Sequence, residues 1–350
     1  MNNHLEMLDL SYENEKFLDC DISCEEIVKR ISEVKDTVKR LDLFGQKALT
    51  EIPKVIKECR LLEEIDVSST LITEIPEFIF TLPNLRSFSC VWSNLSILPK
   101  NIAMAEKLEK LSLRIEKDQA IPLDINELHN LKFLRIDAAK MFSLPEILGE
   151  LKNLEEFTFY FSLVEEGKVS LPESFANLSS LKDIRITKCN SSKENVILDL
   201  DKTVQILTCC PDFESLSLGG IDIGTGYQSL PLLVNLKELA LSNVKVKGNI
   251  FETISSLHKL KLLCIRGSKS DIGKLSNIFK NLPKLQSIHF SGDFVQKLPS
   301  SIYSLSKLEL LELSGTGLKS LNEKIGNLIN LQWLYLHARS NLFLAFIGFS

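Results

Sequence analysis

The side chains best suited to molecular recognition recur in step along this sequence. Val91 and Trp92, Arg114 and Ile115, Phe133 and Arg135, Tyr160 and Phe161, then Arg185 and Lys188 occupy successive stretches of similar length. Large rings bury much area with few rotors, and guanidinium groups make directional polar contacts. Trp, Tyr and Arg together are therefore the chemistry of a protein-binding surface. A secondary group of the same kind is Arg266, His289, Trp333, Tyr335 and His337. Groups suited to catalysis are sparser. Five histidines and eight cysteines are scattered without a C-x-x-C pair or metal-ligand spacing, and no G-x-x-x-x-G-K-[ST] phosphate loop occurs. No catalytic residue, no metal site and no cofactor is expected.

What must position the recognition side chains is a repeat. Leu62, Leu85, Leu108, Leu131 and Leu154 follow one another at intervals of 23 residues, and the series resumes at Leu181, Phe213, Leu236, Leu260, Leu285, Leu308 and Leu331. Around each lies one phrase, as in Leu108-Glu-Lys-Leu111-Ser-Leu113, then Ile121-Pro122, Ile125 and Leu128. The alternation in L-x-L is that of a short strand with its leucines on one face. The I-x-x-L spacing is that of a short helical turn, and Pro just before it ends the strand and suits a first turn. One unit cannot bury its own leucines; stacked units share a core.

This phrase resembles the leucine-rich repeats of the roughly 23-residue L-P-x-x-I-x-x-L class, and the resemblance covers about residues 38 to 340. Similar units occur in Ras-group intracellular scaffolds, bacterial repeat proteins and the recognition segments of plant immune receptors. The resemblance implies an α/β solenoid curved like a horseshoe, with parallel strands on the concave face and helical turns on the convex one. It also implies an Asn at the ninth position of each unit. Here Thr70, Ser93, Glu116, Ala139, Ser162, Cys189, Ser268, Asp293, Thr316 and Arg339 stand there instead, so the bends are expected to use hydroxyls and water.

Three segments follow: an N-terminal cap over residues 1–37, about thirteen repeats over 38–340, and an apolar tail over 341–350. Ser23-x-x-Glu26 is a capping box ahead of Ile27, Ile31 and Val34, which predicts a helix over residues 21–36. The tail reads as a lid on the last unit, with self-association through the C-terminal end as the alternative. Two units are longer, at Val164–Lys168 and Asn190–Lys202, and Val204–Leu207 reads as a longer helix.

Composition narrows the partner. With 41 Lys+Arg against 46 Asp+Glu the formal net charge is −5, so bulk charge favours neither nucleic acid nor an anionic membrane. No apolar run spans a bilayer, and the polar, acidic start does not read as a signal peptide. The expectation is a non-catalytic cytoplasmic module that binds a protein or peptide on its concave face, with no nucleic-acid and no membrane partner. The alternatives are a recognition fragment of an immune-type receptor and a bacterial effector delivered to a host.

Overall fold

The computed structural model describes residues 6–11, 22–93, 99–115, 121–140, 144–163, 167–189, 195–267 and 272–337, with the side chains of 100, 139, 140, 163 and 337 left aside. The chain divides into two compact units. The first holds residues up to Val164 together with Pro172–Ser180, and the second holds Glu165–Leu171 and Leu181 onward.

In the first unit the L-x-x-L-x-L phrases form seven parallel strands in sequence order: β1 (Met7–Asp9), β2 (Arg40–Asp42), β3 (Glu64–Asp66), β4 (Ser87–Cys90), β5 (Lys110–Ile115), β6 (Phe133–Lys140) and β7 (Glu156–Leu163). The register is in step, so Leu41, Ile65, Phe88, Leu111, Leu134 and Phe157 lie side by side. All six are at most 2% exposed. Each Leu, Ile or Phe removed from water contributes about 1.5–3 kcal/mol, which only stacking can supply to so short a unit. Phe157 and Phe175 meet edge to face at 5.1 Å, and Phe80 and Phe88 at 5.6 Å.

The returns are 3-10 turns of five residues rather than α-helices. Pro53, Pro76, Pro99, Pro122, Pro145 and Pro172 each stand immediately before one, with the buried Ile, Leu or Phe two residues inside it. Residues 1–37 hold more than a helix. β1 pairs with β2 as the edge strand, and helix α1 (Cys24–Val34) takes the place of the first 3-10 turn. Ser23 Oγ accepts from the Glu26 N–H at 3.2 Å, while the Glu26 carboxylate turns to Arg30, 2.8 Å away, instead of closing the capping box. Ile27 and Ile31 are fully buried.

In the second unit β9 (Asp183–Lys188), β11 (Ser215–Gly219), β13 (Glu238–Ser242), β15 (Leu262–Arg266), β16 (Ser287–Ser291), β17 (Leu310–Ser314) and β18 (Trp333–His337) form the same parallel, in-step sheet. The two longer units and the two that follow them share a further element. β8 (Lys168–Val169), β10 (Ile197–Leu198), β12 (Asp222–Gly224) and β14 (Lys245–Val246) pair in parallel as a second, four-stranded sheet built from residues that follow the main strands. Helix α2 (Leu200–Leu207), capped by Asp199, occupies the stretch expected to be a longer helix, and α3 (Ile250–Ile254) replaces another 3-10 turn. The insertion residues 164–166 and 190–194 and the tail at 341–350 lie outside the described residues.

The bends are satisfied in three ways. Thr70 and Ser93 use their hydroxyls, on Val67 O at 2.8 Å and Cys90 O at 3.2 Å. Asp9, Asp42 and Asp66, at strand ends, accept from the N–H two residues on, at 3.0, 2.9 and 2.7 Å. An asparagine ladder exists as well, in a different place. Asn84, Asn130 and Asn153, each just before a unit's first leucine, donate to the carbonyls of Arg60, Glu106 and His129 in the preceding unit at 3.0, 2.7 and 2.6 Å. Asn235 and Asn330 do the same in the second unit. Cys90 is a core residue, and Cys189 is an exposed bend residue.

Candidate binding face

Strand alternation gives the first unit an open sheet face of three outward rows. The first contains Arg40, Glu64, Ser87, Lys110, Phe133 and Glu156; the second contains Asp42, Asp66, Ser89, Ser112, Arg135 and Thr158; the third contains Arg114, Asp137 and Tyr160. Arg135 and Asp137, two apart on β6, point the same way and form a fork: Nε to Oδ1 at 2.9 Å and Nη2 to Oδ2 at 3.0 Å. The Asp137 side chain is only 8% exposed, so the guanidinium is pinned from beneath. Its central carbon lies 4.6 Å from the Tyr160 ring centroid and 5.5 Å from that of Trp92. Cation–π attraction at these distances adds about 0.5–2 kcal/mol per pair, depending on desolvation.

Trp92 reaches this face by an unusual route. Its φ is +54°, a left-handed conformation that a bulky side chain rarely adopts. The turn buries Val91 and leaves Trp92 52% exposed. Phe44, at the exit of β2, meets the Trp92 ring edge on at 6.1 Å.

The recognition side chains expected from sequence divide sharply. Trp92, Arg135 and Tyr160 converge, with Arg114 and Phe133 half-buried on the same sheet. Val91, Ile115 and Phe161 do not face outward: at 5%, 2% and 1% exposed they belong to the core. Ile115 and Phe161 continue the inward series of Leu111, Leu113 and of Phe157, Phe159, because β5 and β7 run past the third apolar position. Lys188, in the second unit, is 8% exposed for the same reason, following Ile184 and Ile186 on β9. Arg185 on that strand is outward and forms its own fork with Asp183, Nε to Oδ1 at 3.0 Å. Phe44 and Asp137 were not among the expected residues; Phe44 directly follows its L-x-L phrase, one position earlier than Trp92 follows its own.

The secondary group lies on the second unit's sheet. Trp333 is half exposed and its ring stacks on Tyr335, centroids 6.4 Å apart and planes 2° from parallel. His289 is bonded to Glu312, and Arg266 is exposed on β15. The His337 side chain is outside the described residues.

Burial pushes the thiols of Cys59 and Cys210 up to about 11 and that of Cys90 up to about 12, so all three stay protonated near neutrality. Among the described residues no group of three or more His, Cys, Asp and Glu is arranged to hold a metal ion. A 540 Å³ recess in the second unit is lined by Lys182, Lys237 and Lys259 with Asp212 and Glu214, of which Lys237 is paired with Glu214. No described helix is long and apolar enough to cross a membrane.

No protein-family model matches the chain. Among curated proteins it is similar to TMV resistance protein N of Nicotiana glutinosa, 28% identical over 170 residues that make up 47% of this chain and 14% of that protein. It is also similar to disease resistance protein RGA4 of Oryza sativa subsp. japonica, 25% identical over 271 residues, 73% of this chain and 26% of that one. The chain thus spans only a small part of either. Among solved structures, an internalin of Listeria monocytogenes matches with a TM-score of 0.57 and 17% identity, over 89% of this chain and 83% of the internalin. That likeness establishes the fold.

Proposed function

We propose that this leucine-rich-repeat chain is an interaction module that holds a protein or peptide partner on the open sheet face of its first unit, with Trp92, Arg135 and Tyr160 as anchors. The observation that carries this reading is the Arg135–Asp137 fork against two rings. An arginine already fixed in place loses little rotamer freedom when a partner docks, so more of the contact energy remains as affinity. The fork also neutralises the arginine locally. Together with the flanking carboxylates Asp42 and Asp66, this suits a partner of mixed charge better than a polyanion.

The test is capture from a native lysate by the wild-type chain and by the double variant Trp92→Ala/Arg135→Ala, with thermal unfolding as the control for folding. Capture of a defined partner by the wild type and its loss in the variant supports the reading; identical capture by both refutes it. A salt series separates a nucleic-acid partner, whose affinity falls steeply with ionic strength, from a protein held by buried rings.

A narrower reading is that the chain is the recognition segment of an immune-type receptor, which the similarity to two resistance proteins favours. A bacterial effector delivered to a host is the remaining alternative. A cytoplasmic scaffold or signalling role rests on composition and on the free thiols of Cys59 and Cys90, both buried in the core.

A further inference from the structure

The second unit carries a different chemistry on its sheet face. The register of β15, β16, β17 and β18 places Cys264, His289, Glu312 and Tyr335 side by side in one outward row. The row before it is Leu262, Ser287, Leu310 and Trp333; the row after it begins with Arg266, Ser291 and Ser314. The His289 ring bridges two rows. Its Nδ1 lies 2.8 Å from Glu312 Oε2, and its Nε2 lies 2.8 Å from Ser287 Oγ. Glu312 Oε1 accepts a further bond from Ser314 Oγ at 2.9 Å.

These contacts fix the proton positions. An ionised carboxylate can only accept, so Nδ1 must carry the hydrogen that points at Glu312. In the neutral ring Nε2 is then bare, and it must accept from the Ser287 hydroxyl. Hydroxyl to imidazole to carboxylate, each link at 2.8 Å, is the order that turns serine into a nucleophile: a base takes its proton, and a third group holds the base in the required tautomer. The neighbouring Cys264 thiol does not compete as a nucleophile, because burial raises its pKa and keeps it protonated.

We propose that Ser287 is an acyl-accepting nucleophile with His289 as its general base and Glu312 as the positioning carboxylate, acting on activated esters with an apolar acyl group. The acyl preference comes from the row that holds Ser287. Leu262 and Leu310 flank it in register, and the half-exposed Trp333 lies beyond Leu310.

In the first step Ser287 Oγ forms a bond to the ester carbonyl carbon while its proton passes to Nε2. The tetrahedral adduct then expels the alkoxide, which leaves as an alcohol with that proton. In the second step water, deprotonated by Nε2, attacks the acyl-serine carbonyl; the Ser287 oxygen recovers the proton and the carboxylic acid departs. The restriction to activated esters follows from the sheet. The Ser287 N–H is committed to Lys261 O and the Leu310 N–H to Gln286 O, so neither amide can hold an oxyanion. Losing such a donor typically costs about 10²–10³ in rate.

The experiment incubates the full chain with p-nitrophenyl butyrate, follows nitrophenolate release, and locates the butyryl group by peptide mass analysis. The expected result is butyrylation of Ser287, none at that site in Ser287→Ala, and acylation at least about 100-fold slower in His289→Gln. Should His289→Gln fail to fold, Glu312→Gln serves: the acylation rate falls as the imidazole loses the carboxylate that fixes its tautomer. Nitrophenolate release by Ser287→Ala at the wild-type rate, a butyryl group elsewhere with Ser287 unmodified, or a Glu312→Gln rate profile superimposable on wild type would each overturn the proposal.

Discussion

The Arg135 guanidinium grips the Asp137 carboxylate with two parallel bonds, from a position two residues earlier on the same strand. Because Asp137 lies almost wholly out of solvent, each partner depends on the other. Arg135→Ala leaves a desolvated carboxylate without its fork and should destabilise the fold by about 1–3 kcal/mol. Arg135→Lys keeps the charge but not the fork, and should recover only part of this. Adding Asp137→Asn to Arg135→Ala should restore stability, giving a coupling of about 0.5–3 kcal/mol in a double-mutant cycle read by denaturant unfolding. Additive effects of the two substitutions would show that the fork has no energetic weight.

Trp92 separates binding from stability. Its left-handed backbone costs about 1–3 kcal/mol, while its edge contact with Phe44 returns about 0.5–1.5 kcal/mol and the Arg135 cation over its ring about 0.5–2 kcal/mol. Trp92→Gly removes all three, so its unfolding midpoint should stay close to that of the wild type while partner capture is lost. A large drop in thermal stability would mean that the ring is structural rather than a binding anchor.

The leucine period was legible because a unit without inward leucines has no core, and Leu41, Leu111 and Leu134 lie where the period puts them. The site was legible only in part. Alternation continues to the end of each strand, so Ile115, Phe161 and Lys188 follow their inward neighbours even though they come after the repeat's third apolar position. Trp92 breaks alternation in the opposite sense, through a backbone angle that no residue type announces. The relocated ladder shows in the sequence only as the recurring Asn-Leu pair of Asn84, Asn130 and Asn153, which stands before each unit's first leucine rather than at its ninth position.

Gly149 is required by a close approach between successive turns. A Cβ there would stand 2.3 Å from both the Cβ and the carbonyl oxygen of Ser174. Ser174 cannot yield readily, since its hydroxyl donates to Glu146 O at 2.6 Å and its N–H to Glu146 Oε2 at 2.8 Å. Gly149→Ala should therefore lower stability by about 1–3 kcal/mol through overpacking, although alanine has the better helical propensity. An unchanged unfolding midpoint would show that the turns can separate freely.

Glu312 makes the second unit sensitive to acid. The hydrogen bond from His289 is the main influence holding its carboxyl below the ordinary 4.5; burial acts in the opposite direction, and Ser314 and Arg266 add to the lowering. A carboxyl whose folded pKa is depressed binds its proton more readily in the unfolded chain. Its contribution to stability is therefore fully present above 4.5 and is lost as pH falls through the lower folded value. Glu6, Glu26, Glu58 and Glu109 are shifted the same way by their own cations, so wild-type stability should fall in that range for several reasons at once. The difference between wild type and Glu312→Gln isolates this carboxylate at acid pH: the gap in unfolding midpoint should narrow as pH falls below 4.5. In His289→Gln the Glu312 carboxyl should titrate closer to its ordinary value by NMR. A gap that does not narrow, or an unmoved titration, would mean that His289 does not hold this carboxylate.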